Sequence, residues 1–336
     1  MNDKLSNISW TEPAGGAASQ PNWNLDAIVT DLRAVRQQWR NQTGRNRELG
    51  LRELPSRDKV QWLVNGLTGV LFPMRLGPQD LREESEDFYV GYTLDAALNE
   101  LLHQVKLELL YQLRYQNKQR QELATGVSPG SIGSDAVQIV RQFAATLPEL
   151  RRILDSDVLA AFHGDPAARS VDEVLLCYPG ISAITHHRLA HTLYRLGLPL
   201  LARMVAEIAH SSTGIDIHPG ATIGGSFFID HGTGVVIGET AVIGERVRIY
   251  QAVTLGAKSF PADHDGVLQK GQLRHPIVED DVVIYAGATV LGRITLGRGS
   301  SIGGNVWLTR SVPPGSNITQ ANSQQRSAGE GDHHHG

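Results

Sequence analysis

Apolar residues recur at every sixth position between Gly214 and Arg310, and this period dominates the second half of the chain. The series slips by two residues after Val235 and is interrupted once between Leu255 and Val278. Its members are β-branched residues or leucine: Ile217, Ile223, Ile229, Val235, Ile237, Ile243, Ile249, Leu255, Val278, Ile284, Val290, Leu296, Ile302 and Leu308. An amphipathic helix does not produce this period. The six-residue period predicts a parallel β-helix, in which each hexapeptide forms one short strand and a corner, and three units complete a coil.

The residues before 210 have the apolar spacing of helices instead. Helical stripes start at Leu25, near Ser56 and at Thr93, and another group covers 135–162, where Pro148 is expected to divide two helices. We therefore predict an α+β protein, with an N-terminal all-α domain followed by the β-helix. The predicted divisions are a disordered segment 1–22, a helical domain 23–210, a β-helix 211–312 with an extruded loop 257–274, and a flexible tail 313–336.

The composition of the chain reduces the number of protein classes to which it could belong. The 336 residues carry a formal net charge of −4, so charge balance gives no support for binding nucleic acid or a membrane surface. No apolar run is long enough for a signal peptide or a membrane span. The single cysteine, Cys177, excludes an internal disulfide, and its apolar neighbours predict a buried, inert thiol. These features together favour a cytoplasmic protein.

Three of the thirteen histidines lie in rigid contexts: His218 before Pro219, His231 before Gly232, and His275 before Pro276. Asp216 precedes His231 by slightly less than one coil, so the two are expected within hydrogen-bond reach near one corner. A carboxylate beside a histidine fixes its tautomer and raises its basicity, as a general base for a hydroxyl requires.

Two further residues, His275 and Glu239, suggest how the site could be completed. His275 follows the long loop and could face His231 of a neighbouring subunit. Glu239, at the next corner, could support one of the histidines.

A zinc site is the alternative interpretation of the three histidines, since they could ligate a metal at a subunit interface. Two observations argue against it. The spacing contains no short ligand pair, and Arg274 would sit poorly beside a divalent cation. We therefore favour a site without a metal.

Four motifs carry a resemblance to a known family. They are Asp216-Ile217-His218-Pro219, Asp230-His231-x-Thr233-Gly234, Val236-Ile237-Gly238-Glu239-Thr240-Ala241-Val242-Ile243 and Arg274-His275-Pro276. In this order they resemble the serine O-acetyltransferases over about 160–315. The resemblance implies a left-handed β-helix, an exception to the usual crossover hand. It also implies a homotrimer or a dimer of trimers, with sites between neighbours. The expected reaction is acetyl transfer from acetyl-CoA to the hydroxyl of L-serine.

The resemblance also implies roles for single residues. His231 would be the general base and Asp216 its orienting partner, with His275 completing the catalytic set. Arg274 and His275 would hold the serine carboxylate. Asp165 and Asp230 would receive its ammonium, and Glu239 would support them. The residues implied for acetyl-CoA are Thr254, Gly256, Ala257, Ala286 and Gly287, and backbone N–H groups near Gly256 and Ala257 could stabilise the oxyanion.

Two partner predictions follow from the same resemblance. Cysteine presents the same ammonium and carboxylate as serine, so it is expected to inhibit competitively. Many members insert a C-terminal isoleucine into a sulfhydrylase, but here the sequence after Ile318 offers no apolar anchor, so that complex is not expected. The alternatives left open are another hydroxyl acceptor such as a sugar or homoserine, a zinc-dependent β-helix hydratase, and a catalytically silent scaffold.

Overall fold

The structure, a computed structural model, describes residues 23–43, 54–119, 131–259 and 271–321. Contacts divide the chain into two compact units, Met1–Arg52 and Glu53–Gly336. In the first unit, helix α1 spans Leu25–Thr43 and buries none of its residues. The apolar stripe predicted from Leu25 onward therefore forms a helix, but its side chains are exposed. Within the described ranges, no helix combines the length and apolarity that crossing a bilayer requires.

The second unit begins with seven α-helices and a short 3₁₀ turn at Glu83–Ser85. The helices are α2 (Arg57–Leu71), α3 (Pro73–Leu76), α4 (Glu86–Gln119), α5 (Ile132–Gly164), α6 (Val171–Cys177), α7 (Pro179–Arg195) and α8 (Pro199–Thr213). Local chemistry sets several of these boundaries. The Ser170 hydroxyl accepts from the Glu173 N–H at 3.0 Å and so caps α6. Pro199 occupies a first-turn position of α8, and Gly214 ends that helix at a φ of 69°.

Two helical expectations are wrong. Pro148 does not divide two helices, because α5 continues through it. Phe143 and Leu147 on one side and Leu154 and Val158 on the other are buried, so packing holds the helix together across the proline. Cys177 is exposed rather than buried, because Val174 is the residue that α6 buries and its last turn faces solvent.

The described residues between Asp216 and Ile318 form a left-handed parallel β-helix. Its strands are β1 (Asp216–Ile217), β2 (Thr222–Ile223), β3 (Phe228–Ile229), β4 (Val236–Ile237), β5 (Val242–Ile243), β6 (Arg248–Ile249), β7 (Thr254–Gly256), β8 (Ile277–Val278), β9 (Val283–Ile284), β10 (Thr289–Leu291), β11 (Thr295–Leu296), β12 (Ser301–Ile302), β13 (Trp307–Leu308) and β14 (Asn317–Ile318). They form three sheets: sheet A (β1-β4-β7-β10-β13), sheet B (β2-β5-β8-β11) and sheet C (β3-β6-β9-β12-β14). Every pairing is parallel, as the repeat predicts.

The six-residue period places one apolar side chain per strand inside the coil. In sheet A, Ile217 pairs with Ile237, which pairs with Leu255, and the column continues to Val290 and Leu308. All of these side chains are buried. They belong to one apolar cluster that also contains residues of α2, α4, α5, α7 and α8, so the helices and the coil share a core.

The two-residue slip in the sequence corresponds to an enlarged corner. Residues 230–235 join β3 to β4, whereas 250–253, 285–288 and 303–306 make the equivalent connections farther along the coil. The first connection is therefore two residues longer than the others. Val235 is buried just before β4, so the extra length projects outward at His231.

The coil continues past its predicted end at residue 312. Val312 bridges to Leu296, and β14 pairs with β12 with Ile318 opposite Ile302. Ile318 is buried, so it takes the inward position of one more turn. The predictions for 1–22, for most of the loop (260–270) and for the end of the tail (322–336) fall outside the described residues.

Candidate active site

Most of the predicted site residues lie at two corners of the coil, whereas Asp165 follows α5, Asp216 begins β1, and Thr254 and Gly256 belong to β7. The CA corner, where the chain passes from sheet C to sheet A, contains residues 230–235 and 285–288. The AB corner, where it passes from sheet A to sheet B, contains residues 218–221, 238–241 and 257–276. His231 therefore belongs to the CA corner, and His275 belongs to the AB corner.

His231 protrudes from the enlarged CA corner. Its side chain is 71% exposed, and its Nδ1 lies 3.7 Å from Oδ1 of Asp230. The backbone of His231 is left-handed, with a φ of 58°, and Gly232 follows at 90°. A Cβ on Gly232 would lie 2.4 Å from the side chain of Ile215, so only glycine fits this turn. The geometry presents the imidazole to solvent beside a carboxylate.

Asp165 belongs to the same cluster although it is distant in sequence. Its carboxylate accepts from the Tyr178 hydroxyl at 2.5 Å and from the Ala167 N–H at 2.8 Å. The hydrogen bond from Tyr178, followed by that from Ala167, lowers the pKa of Asp165, and the charge of His231 acts in the same direction. Conversely, the hydrogen bond to Asp165 raises the pKa of Tyr178 to about 12. The carboxylate is therefore ionised and the phenol is protonated at neutral pH.

Asp216 lies at the start of β1. Just before it, the Gly214 carbonyl accepts from the Gly234 N–H, so this hydrogen bond joins the start of β1 to the CA corner. Among the described residues no hydrogen bond links Asp216 to His231. The oxygen of Asp216 instead lies within 4.8 Å of ligand atoms of Glu207 and His210. The orienting role of Asp216 stays a prediction.

Thr240 organises the AB corner around His275. The Thr240 N–H donates to Nδ1 of His275 at 3.0 Å, and its hydroxyl lies 2.9 Å from the same atom. The hydroxyl oxygen also accepts from the backbone N–H groups of Arg274 and His275, at 3.0 and 3.1 Å. Because a backbone N–H can only donate, Nδ1 is an acceptor and the ring proton sits on Nε2. His275 therefore offers one N–H donor.

His275 is held in its neutral form. The residue is 6% exposed, and a Cβ on Gly238 would lie 2.0 Å from its ring, so the glycine provides the space for the imidazole. Burial, followed by the charge of Arg274, lowers the pKa of His275 to about 4. The side chain is thus a neutral hydrogen-bond donor at physiological pH.

The Arg274 guanidinium is fixed by Glu239, which accepts from its Nη2 at 2.7 Å. The other carboxylate oxygen of Glu239 accepts from the Tyr194 hydroxyl at 3.1 Å. Burial raises the pKa of Glu239, but the hydrogen bonds from Arg274 and Tyr194 outweigh burial and lower it. The corner thus combines a cation and a neutral N–H donor, the groups that bind a carboxylate.

The residues predicted for acetyl-CoA lie along both margins of sheet A. Thr254 and Gly256 belong to β7, and Ala257 begins the long loop at the AB corner. Ala286 and Gly287 lie at the CA corner, where a Cβ on Gly287 would lie 2.3 Å from the Asn305 side chain. The residues predicted for acetyl-CoA therefore span sheet A from the CA corner to the AB corner.

The three histidines considered for zinc do not meet within one chain. His218 and His275 share the AB corner, while His231 is at the other. In the described part of the chain, the acidic and histidine side chains close enough to hold a metal are Glu207, His210 and Asp216. Nδ1 of His210 lies 3.3 Å from Oε2 of Glu207, so a side-chain hydrogen bond within α8 explains their proximity.

Sequence reasoning missed three residues that contact the predicted set. Tyr178 lies between α6 and α7, and Tyr194 belongs to α7. Arg248, whose charge contributes to the low pKa of Asp165, comes from β6. No local motif identifies these residues, since each reaches the site through tertiary packing. Thr240 lies inside the Gly-Glu-Thr motif, and that motif could have identified it.

Comparison of the sequence with known proteins finds relatives that carry the same name, serine acetyltransferase. The chain is 62% identical over 268 residues to a plasmid-encoded serine acetyltransferase of Synechococcus elongatus, covering 80% of this chain and 82% of that one. It is 48% identical to the Bacillus subtilis serine acetyltransferase over half of this chain and 73% of the other, and 51% identical to that of Mycobacterium tuberculosis over 47% and 65%. No family model matches the chain.

Solved structures agree with the sequence relatives. A crystal structure of Entamoeba histolytica serine acetyltransferase 1 in complex with L-cysteine has a TM-score of 0.64 at 37% identity, covering 77% of this chain and 86% of that one. The native form of that protein gives 0.63 at 35% identity, covering 81% and 90%. The likeness extends over the helices and the coil together.

Proposed function

The chain belongs to the serine acetyltransferase family, and from this premise we propose how its two corners carry out the reaction. The enzyme transfers the acetyl group of acetyl-CoA to the hydroxyl of L-serine, giving O-acetylserine and free CoA.

His231 acts as the general base. A serine hydroxyl is a weak nucleophile until its proton is removed during attack on the thioester carbonyl. The exposed imidazole at the CA corner can take that proton, and Asp216 orients it. The acceptor is itself the nucleophile, so the transfer requires no covalent enzyme intermediate.

The two corners bind opposite ends of serine. Asp165 and Asp230, beside His231, receive the ammonium group. Arg274 and the Nε2–H of His275 receive the carboxylate through charge-assisted hydrogen bonds. Acetyl-CoA lies along sheet A between Thr254, Gly256 and Ala257 on one side and Ala286 and Gly287 on the other.

One observation supports this proposal: Asp230 and His231 lie at one corner of the coil, and Arg274 and His275 lie at another. A single small substrate meets both only if the CA corner of one subunit faces the AB corner of the next. Such a heterologous contact closes into a ring, which we propose to be a trimer or a dimer of trimers.

Complementation between inactive variants tests the arrangement. We expect His231→Ala and Arg274→Ala to be impaired separately. Unfolding and refolding them together gives mixed rings, in which about a quarter of the sites combine an intact His231 with an intact Arg274 of a neighbour. Activity should then recover towards that fraction in a thiol-release assay. No gain over the separate variants would contradict a shared site.

Cysteine is proposed as a competitive inhibitor against serine. An Entamoeba relative was crystallised with L-cysteine, and cysteine offers this site the same ammonium and carboxylate. An acceptor panel belongs in the same experiment, because turnover with sugars or homoserine but not serine would contradict the assignment.

We also propose a cytoplasmic location on the evidence of the single cysteine.

A further inference from the structure

Helix α7 contributes a side chain that reaches the predicted carboxylate-binding corner. The Tyr194 hydroxyl donates to Oε1 of Glu239 at 3.1 Å, while Oε2 of the same carboxylate accepts from Nη2 of Arg274 at 2.7 Å. One oxygen of Glu239 is thus held by the helices, and the other holds the guanidinium. Tyr194 itself does not belong to the repeat and touches none of the groups proposed to bind serine.

Contacts on the remaining sides leave Glu239 little freedom. Its stem packs against Gly220, where an added Cβ would lie 3.1 Å from Cγ of Glu239. The Tyr194 ring is itself held by His218, whose ring meets it edge-on with centroids 5.8 Å apart. The tyrosine hydroxyl therefore helps to set where Oε2 of Glu239, the oxygen that accepts from Arg274, lies.

The protonation states suit this contact. Burial, followed by the hydrogen bond to Glu239, raises the pKa of Tyr194, so its hydroxyl keeps its proton and donates. A donor to an ionised carboxylate forms one of the stronger hydrogen bonds in proteins. The ionised carboxylate in turn attracts the cation of Arg274.

We propose that Tyr194 is a positioning residue for serine binding, which orients Glu239 and, through it, the Arg274 guanidinium that receives the serine carboxylate. This inference rests on the role given to Arg274 in the proposed function. A side chain of the helical region thereby sets the affinity of the coil for its amino-acid substrate.

Tyr194→Phe removes only the hydroxyl and tests the proposal. We expect the serine KM to rise roughly three- to tenfold, because a hydrogen bond to a charged group is lost at one step from the substrate. The kcat and the acetyl-CoA KM should stay within about twofold. Thr192→Val is the matched control, since this hydroxyl on α7 donates to the Arg188 carbonyl of the same helix. A parallel rise of both KM values in Tyr194→Phe would indicate general damage and overturn the proposal.

A double-mutant cycle separates this inference from the proposed function. If Tyr194 acts through Arg274, the serine KM of Tyr194→Phe combined with Arg274→Ala should equal that of Arg274→Ala alone. Additive effects would show that Tyr194 acts by another route. An Arg274→Ala variant with unchanged serine KM would remove the proposed role of Arg274 and this inference with it. A raised KM in Arg274→Ala with none in Tyr194→Phe would overturn this inference alone.

Discussion

Arg188 and Asp157 form a fully buried, bidentate ion pair between helices α7 and α5. The Nε and Nη2 atoms of Arg188 donate to the two carboxylate oxygens at 2.6 and 2.8 Å. The guanidinium also donates to the carbonyls of Ile223 and Gly224, and Asp157 accepts from the Phe227 N–H. The pair therefore joins two helices to the first coil.

Replacing Arg188 should cost much of the stability of the folded chain. Arg188→Met leaves the buried carboxyl of Asp157 without its cation, so we expect a loss of about 3–5 kcal/mol in the free energy of unfolding. Urea titration followed by circular dichroism measures it. Arg246→Ala breaks an exposed pair with Asp281 and is the control, with little change expected. Equal losses in the two variants would contradict the structural role of the buried pair.

His231→Ala should lower kcat by roughly 10²–10⁴-fold, which is the usual contribution of a positioned general base. The serine KM and the oligomeric state should change little, because the imidazole is exposed and its neighbours at the corner stay in place. Thiol release with saturating substrates and light scattering provide the two measurements. Near-normal turnover in this variant would exclude His231 as the base.

Tyr178→Phe should shift the pH dependence of serine binding. The Tyr178 hydrogen bond lowers the pKa of Asp165, so its removal lets that pKa rise towards its ordinary value. Binding of the serine ammonium needs the ionised carboxylate, and it is lost as the pH falls through the pKa of Asp165. The variant should therefore lose kcat/KM for serine at a higher pH than the unmodified enzyme.

A pH series of kcat/KM with both proteins measures this shift. Tyr92→Phe, at an exposed position of α4, is the control and should reproduce the unmodified profile. An unchanged acid limb in Tyr178→Phe would mean that Asp165 does not govern serine binding.

His275→Ala should raise the serine KM by roughly ten- to a hundredfold, because it removes a hydrogen bond to the substrate carboxylate. The fall of kcat/KM for serine at low pH should be the same in His275→Ala as in the unmodified enzyme. Burial keeps the pKa of His275 at about 4, so its ring is already neutral above that pH. A shifted limb would show that His275 titrates within the working range of the enzyme.

Removal of metal ions should leave activity intact. Nδ1 of His275 accepts from the Thr240 N–H and its Nε2 carries the proton, so neither nitrogen has a lone pair free for a metal. Dialysis against a strong chelator, followed by the thiol-release assay, tests this. Activity that is lost and then restored by zinc would support the metal-dependent alternative.

The repeat could be predicted from the sequence because its period is a local property. Each inward residue, such as Ile217 or Val290, is selected by burial at one fixed place in its own hexapeptide. The two-residue slip after Val235 even marked the enlarged corner that carries His231. Burial of one side chain per strand leaves a direct pattern in the chain.

Only the tertiary structure decided which of these residues act together. The pattern placed Asp216 near His231 and allowed His275 to face His231 of a neighbouring subunit, but only sheet order assigns His231 and His275 to two different corners. It could not identify Tyr178 or Tyr194, because their hydroxyls reach Asp165 and Glu239 through the way the helices pack and not through the repeat. Periodicity records which side chains are buried, whereas hydrogen-bond partners depend on how separate elements pack. The repeat was therefore determined by the sequence, and the contacts that complete each half of the site were determined by the fold.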